Sequence, residues 1–248
     1  ELFELAGESA AEHFEFSKKE VACTYFWQDG TEFTAYSDRK QFIKQAHQTF
    51  GEPEENIERY FNRAKKKYEL TSTLFLEKSL HKLKTFLSLD TVKALFQLHT
   101  FELQKTLHQA NIDAFSSAHF IQLLDRYATY NGSDPYQTSG MMTLIQHLES
   151  AYGTFVPKKG MVSITDALFG LAKRLGVQFH FETSVEEIRV ESDQAKGVKT
   201  KTASYEADFV VSNMDVFHTY KKLLPKAKPP QKRLKQERSS SAVIFYWG

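Results

Sequence analysis

The sequence predicts an α/β (mixed α+β) protein, with a long helical region set between short strands. Three observations carry this. Apolar residues recur at helical spacing through most of residues 37–154. Residues 163–192, SITDALFGLAKRLGVQFHFETSVEEIRVES, read as a helix running straight into strands. Residues 208–213, DFVVSN, have the wholly apolar centre of a strand in a sheet covered on both faces.

Taken along the chain, the first signal is a hairpin in CTYFWQDGTEFTAY, Cys23 to Tyr36. Aromatic and β-branched runs flank Asp29-Gly30, a pair that accepts the positive φ of a tight turn. Ser37 or Asp38 then caps a helix that places Phe42, Ile43 and Phe50 on one side. The next segment, from Glu52, opens with acids and turns basic, as suits a helix dipole. Leu80 to Leu107 is amphipathic, carries Lys and His among Leu and Phe, and contains no Gly or Pro. It fits helices packing on their own core, or a surface that dips into a membrane interface. RYATYNGSDPYQTSG reads as a loop, and MMTLIQHLESAYG as a helix ended by Gly153.

Ser163 and Asp166 have the spacing of a capping box, with Asp in place of Glu. Ile164, Leu168, Leu171 and Leu175 form one apolar face, and Gly176 supplies the left-handed residue that stops the helix. VQFHFE and VEEIRVES are then expected as two strands, and KGVKTKTASYEA as a hairpin-like return. Asn213 is placed to cap a helix MDVFHTYKKLL that Pro225 follows. The basic, Pro-bearing segment from Pro225 to Ser241 reads as a surface crossing before a last strand, SAVIFYW.

Composition narrows the function. The chain has 248 residues, 41% hydrophobic and 25% charged, which is enough for one large or two small domains with a real core. A net charge of +1 gives no reason to expect nucleic acid, and the basic run around KKLLPKAKPPQKRLKQ has no aromatic residues interleaved. Aromatics make up 14%, with 21 Phe and 11 Tyr; they suit a Phe-rich core or a pocket for a large apolar ligand. Cys23 is the only cysteine, so no internal disulfide forms and a reducing compartment is expected. No secretory leader or bilayer-length apolar run is present. Nine scattered histidines, with no H-E-x-x-H and no Cys pair, give no metal site.

The 163–213 pattern looks like half of a nucleotide-binding α/β sheet. Its other half would carry a Gly-rich turn that admits a pyrophosphate to the backbone. No two of the 11 glycines stand in a G-x-G arrangement.

Several segments, in order, resemble the FAD-dependent phytoene desaturase family, the bacterial-type carotenoid desaturases. They are ELFELAG, WQDGTEFTAY, RYATYNGSDPYQTSGMMTLIQHLESAYGTFVPKKGM, LGVQFHFETSVEEI, ADFVVSNMDVFHTYKKLLP and RSSSAVIFYWG, which together span nearly the whole chain. Lys159 departs from the pattern, because the family usually has a glycine there. The overall flavour is similar to the branch acting on hydroxylated carotenoids. The resemblance implies an FAD/NAD(P)-binding-like sheet portion at 155–224. It also implies substrate-domain strands at 1–36 and 225–248, and a helical, membrane-facing lid at 37–154. Because the Gly-rich FAD fingerprint is absent, the chain reads as the middle of such an enzyme and is expected to be inactive alone.

The chemistry implied is hydride transfer from a polyene to FAD, with a proton lost to a base or water. Val185 would approach the adenine end of FAD, and Ser212 its phosphate or ribose. Pro157, Lys159, Gly160 and Met161 would lie near the flavin or the substrate channel. Arg126 and Asp134, beside Tyr127 and Tyr130, are the candidate catalytic residues: a buried Arg–Asp pair holds a charge beside an allylic centre or grips a substrate hydroxyl, unless these side chains only brace a loop. Peripheral attachment to the inner, cytoplasmic face of a membrane is expected. A carotenoid isomerase, an amine-oxidase-like flavoenzyme and a non-catalytic apolar-ligand module remain as alternatives.

Overall fold

The computed structural model describes residues 1–72, 98–236, 238 and 241–245. Most of the amphipathic segment expected from Leu80 to Leu107 lies outside these. The chain divides into two compact units, one of residues 1–168 with 239–248 and one of residues 169–238.

The first unit is built on a two-stranded hairpin and helices packed against it. Strand β1 (Phe16–Lys18) pairs antiparallel with β4 (Phe155–Pro157), a long-range pairing with no local signal in the sequence. Strands β2 (Val21–Phe26) and β3 (Glu32–Tyr36) form the expected hairpin. Its turn differs from a two-residue one. Trp27 N–H donates to Thr31 O, so three residues make the loop, and of these only Gly30 is left-handed, at φ 84°. Asp29 instead accepts from Thr31 N–H through its side chain at 3.0 Å, as an Asx turn.

Asp38 caps helix Arg39–Phe50, accepting from Gln41 N–H at 2.9 Å, and Gly51 at φ 73° ends it. Phe42, Ile43 and Ala46 are its buried face. Helix Glu54–Ser72 buries Ile57, Tyr60, Phe61, Ala64, Lys67 and Thr71, positions three and four apart along one stripe. With Phe33 from β3 and Phe120, Leu123, Leu124 and Tyr127 from residues 118–127, the side chains of Phe42, Ile43, Ala46, Ile57, Tyr60 and Phe61 form a single aromatic-rich core. Phe42 meets Phe33 edge-on at 5.3 Å, and Phe115 meets Phe120 edge-on at 4.7 Å, the geometry that ring quadrupoles favour.

In the second unit, β5 (Val185–Glu191), β6 (Gln194–Thr200) and β7 (Ser204–Glu206) form an antiparallel meander, as VEEIRVES and KGVKTKTASYEA suggest. The β5–β6 turn is tight because Ser192 and Asp193 take positive φ, 49° and 63°. Gly197, at φ 144°, is required by closeness: a Cβ there would stand 2.0 Å from Tyr205 O.

Several expected elements are absent. Residues 177–182 form no strand; Phe179 and Phe181 stack on each other and meet Phe169. Residues 208–213 form no strand either, and Phe209 and Val211 stand 88% and 93% exposed. A strand needs a neighbour for its backbone donors and acceptors, and no described strand lies beside either segment. Residues 241–245 of the last apolar run are likewise without strand structure and exposed. The helix expected at the start of residues 163–192 spans Val162–Arg174, so Ser163 lies inside it and donates its hydroxyl to Gly160 O at 2.7 Å, rather than capping it. Gly176 does end it, at φ 85°, with Val177 N–H reaching back to Ala172 O. Of its apolar face, Leu171 is buried while Leu168 and Leu175 are exposed. Asp215, not Asn213, caps the short helix Val216–His218, accepting from Phe217 N–H at 2.8 Å.

Candidate functional site

Three polar clusters stand out within the first unit. The first surrounds Arg126, at the start of the 3-10 helix Arg126–Asn131. Its guanidinium carbon lies 5.4, 4.9 and 5.5 Å from the ring centres of Tyr25, Tyr127 and Tyr130, a three-sided tyrosine box. The carboxylate of the box is Glu149, from helix Leu144–Tyr152, whose Oε2 is 3.7 Å from Arg126 Nη2. Tyr127 donates to Glu149 Oε1 at 2.8 Å and Tyr130 to Oε2 at 2.6 Å. Burial raises the hydroxyl pKa values of Tyr25, Tyr127 and Tyr130 above the ordinary tyrosine range, so all three remain donors.

No Arg126–Asp134 ion pair forms among the described residues. Both Asp134 oxygens are taken locally, by Tyr136 N–H and by the Gln137 side-chain amide, each at 2.9 Å. Asp134 braces its loop, and Pro135 after it favours that turn. The partner of Arg126 was hidden because Glu149 lies on a helix 23 residues away and has no local mark.

The second cluster is centred on Lys67, which is only 1% exposed. Its ammonium binds Glu102, Gly140 O at 3.0 Å and Thr143 Oγ1 at 2.7 Å. Burial lowers the Lys67 pKa, and the bond to Glu102 opposes that shift. The third is a chain of hydrogen bonds. Tyr60 OH donates to Asn111 Oδ1 (2.7 Å), Asn111 Nδ2 to Asp125 Oδ1 (2.8 Å), and His108 Nδ1 lies 2.7 Å from Asp125 Oδ2. Sequence spacing exposed none of these contacts.

Lys159, Gly160 and Met161 lie on an exposed turn of the first unit, closed by Gly160 N–H on Pro157 O, with Gly160 at φ 80°. Lys158 beside them pairs with Glu15, and that hydrogen bond holds the Glu15 carboxyl below the usual range. A cleft of about 240 Å³ lies against Lys158, Lys159, Glu15 and Phe14. In the second unit, Val185 opens β5 half-buried, opposite Thr200, and the ladder slips before Glu187. The Ser212 hydroxyl, on an exposed segment without regular structure, is 2.9 Å from Thr219 Oγ1.

Val185 and Ser212 belong to the second unit, where the exposed Ser212 offers a hydroxyl of the kind a nucleoside takes as a hydrogen-bond partner. They do not supply a cluster of backbone N–H groups for a diphosphate, which needs closely spaced glycines. Among the described residues, no three His, Cys, Asp or Glu side chains gather as metal ligands.

Comparison with known proteins shows the family. The model of the flavin-containing amine oxidoreductase family matches residues 1–245, and the chain belongs to that family. Within it, the chain is similar to proteins that desaturate carotenoids. It is 47% identical over 235 residues to a 1-hydroxycarotenoid 3,4-desaturase of a Flavobacterium species, covering 95% of this chain and 48% of that one. It is 31% identical over 226 residues to a phytoene desaturase of Cercospora nicotianae, covering 88% of this chain and 36% of the other. It therefore spans about half, or less, of the length of these relatives. A crystal structure of an oxidoreductase from Methanosarcina mazei aligns with a TM-score of 0.46 at 20% identity, over 63% of this chain and 39% of that one.

Proposed function

We propose that the protein is part of an FAD-dependent desaturase that removes two hydrogens from a hydroxylated carotenoid or related polyene. The observation that carries this reading is the 47% identity, across 95% of the chain, to a 1-hydroxycarotenoid 3,4-desaturase. Bound FAD supplies the hydride acceptor. Val185 and Ser212 hold its adenosine part, and Lys159, Gly160 and Met161 lie by the flavin or the substrate channel.

The tyrosine box bears on the amine-oxidase-like alternative. An aromatic cage is the feature that would suit a substrate amine. Here the cage is filled by the chain's own cation, Arg126, and this favours a polyene over an amine.

The substrate dissolves in membranes, so the protein works attached peripherally to a membrane, at its cytoplasmic face. No helix among the described residues is long and apolar enough to cross one. The test is to purify the full-length gene product and record its absorption spectrum. A bound-flavin spectrum, together with polyene binding, is the expected result. A folded protein with polyene bound and no flavin would leave only an apolar-ligand module.

A further inference from the structure

Among the described residues, six buried side-chain polar atoms make no hydrogen bond, and three of them belong to one contact: Arg126 Nε, Arg126 Nη2 and the Tyr25 hydroxyl. The other three are single atoms on Ser37, Gln146 and His218. Buried polar groups are ordinarily paired, so three orphans around one guanidinium mark a place built to receive something.

The surroundings say what kind of group that is. The rings of Tyr25, Tyr127 and Tyr130 surround the guanidinium. Glu149 offsets its charge from 3.7 Å while giving its oxygens to Tyr127 and Tyr130, so the guanidinium is held by charge and ring contacts and keeps Nε and Nη2 without a hydrogen bond of good geometry. A carboxylate ligand is disfavoured beside Glu149. A neutral hydroxyl suits the set: its oxygen accepts from Arg126, and its proton goes to the Tyr25 oxygen. The Arg126 side chain keeps 31% of its surface open, and Tyr130, the outer wall of the box, is 58% exposed. A ligand end can therefore reach the box by displacement of one surface ring.

We propose that Arg126 and the Tyr25 hydroxyl are the specificity-determining pair that binds the hydroxyl of an otherwise apolar ligand, setting the preference for a hydroxylated over a hydrocarbon polyene. The proposal rests on the desaturase reading above. A hydrocarbon end leaves all three atoms unpaired, whereas a hydroxyl pairs them, and that asymmetry is what discriminates between the two.

The test is equilibrium binding of a 1-hydroxylated polyene and of its hydrocarbon analogue, in detergent, to the full-length gene product and two variants. Tyr25→Phe keeps the ring against the guanidinium and removes only the hydroxyl, so the fold should be retained, as the thermal midpoint checks. Arg126→Met removes both orphan donors. The wild type is expected to prefer the hydroxylated ligand by roughly ten- to a hundred-fold, the range for a hydrogen bond to a charged group. Both variants are expected to lose most of that preference while the hydrocarbon affinity stays unchanged. Equal binding of the two ligands by the wild type, or a Tyr25→Phe variant with its preference intact, overturns the proposal and leaves the desaturase reading standing. A wild type that binds neither polyene removes both. If an ordered water alone fills the site, neither variant changes discrimination, and the proposal fails.

Discussion

Gly197→Ala tests the meander that carries Val185. Gly197 sits in β6 opposite Glu206 of β7, at φ 144°. An added Cβ would stand 2.0 Å from Tyr205 O and 2.9 Å from Glu206 Cα, both backbone atoms that cannot rotate away. Ordinary contact begins near 3.4 Å, so β6 and β7 must part by more than an ångström locally. That separation breaks about two ladder hydrogen bonds, worth about 1 kcal/mol each. Forcing a β-carbon onto positive φ adds roughly another 1 kcal/mol. Together the loss should be about 3 kcal/mol, read as a lower urea midpoint with an unchanged slope. Hydrogen exchange should show Val198 and Lys199 opening first. Gly30→Ala is the control: φ is 84°, nothing lies within 4 Å of the new carbon, and only the backbone term of about 1 kcal/mol applies. Equal costs at the two glycines would refute the steric argument.

Two other perturbations address the polar clusters. Lys67→Met removes the buried cation from Glu102, Gly140 O and Thr143 and should destabilise the first unit by about 3 kcal/mol, the lower end for breaking a buried pair, because Arg63 remains 3.6 Å from Glu102; urea denaturation reads it, and a loss below about 1 kcal/mol would show the pair to be dispensable. Asp29 accepts from His119, which lowers its pKa from 3.8 to about 2, so its contribution is complete above pH 3.8 and is lost as pH falls through about 2. Asp29→Asn should thus be less stable than the wild type at neutral pH, with the gap closing below about pH 2; a gap that persists in acid would contradict the assignment.

What could be read from the residues was what local chemistry decides. Asp38 caps its helix, Gly176 stops another, and the 185–206 meander forms as its alternation suggests. The hairpin was legible but its loop length was not, because Asp29 satisfies the turn with its side chain and leaves positive φ to Gly30 alone. Segments 177–182 and 208–213 carry the apolar pattern of strands, yet a strand is completed by neighbours, and none lies beside them among the described residues. The box shows the same division. Arg126 and its two nearby tyrosines stood out as a polar group in a short segment. Tyr25 and Glu149 come from 101 and 23 residues away, and Asp134, close in sequence, spends both oxygens on its own loop. Family resemblance supplied the chemistry that geometry alone would not have named.

The most direct measurement of the central claim is an anaerobic single turnover with the full-length gene product, FAD bound, and one equivalent of a 1-hydroxylated carotenoid. The account predicts that the flavin absorbance bleaches while the polyene band moves to longer wavelength, at one polyene oxidised per flavin reduced. Flavin that stays oxidised with hydroxylated and hydrocarbon carotenoids alike, in a protein that binds them, would contradict it.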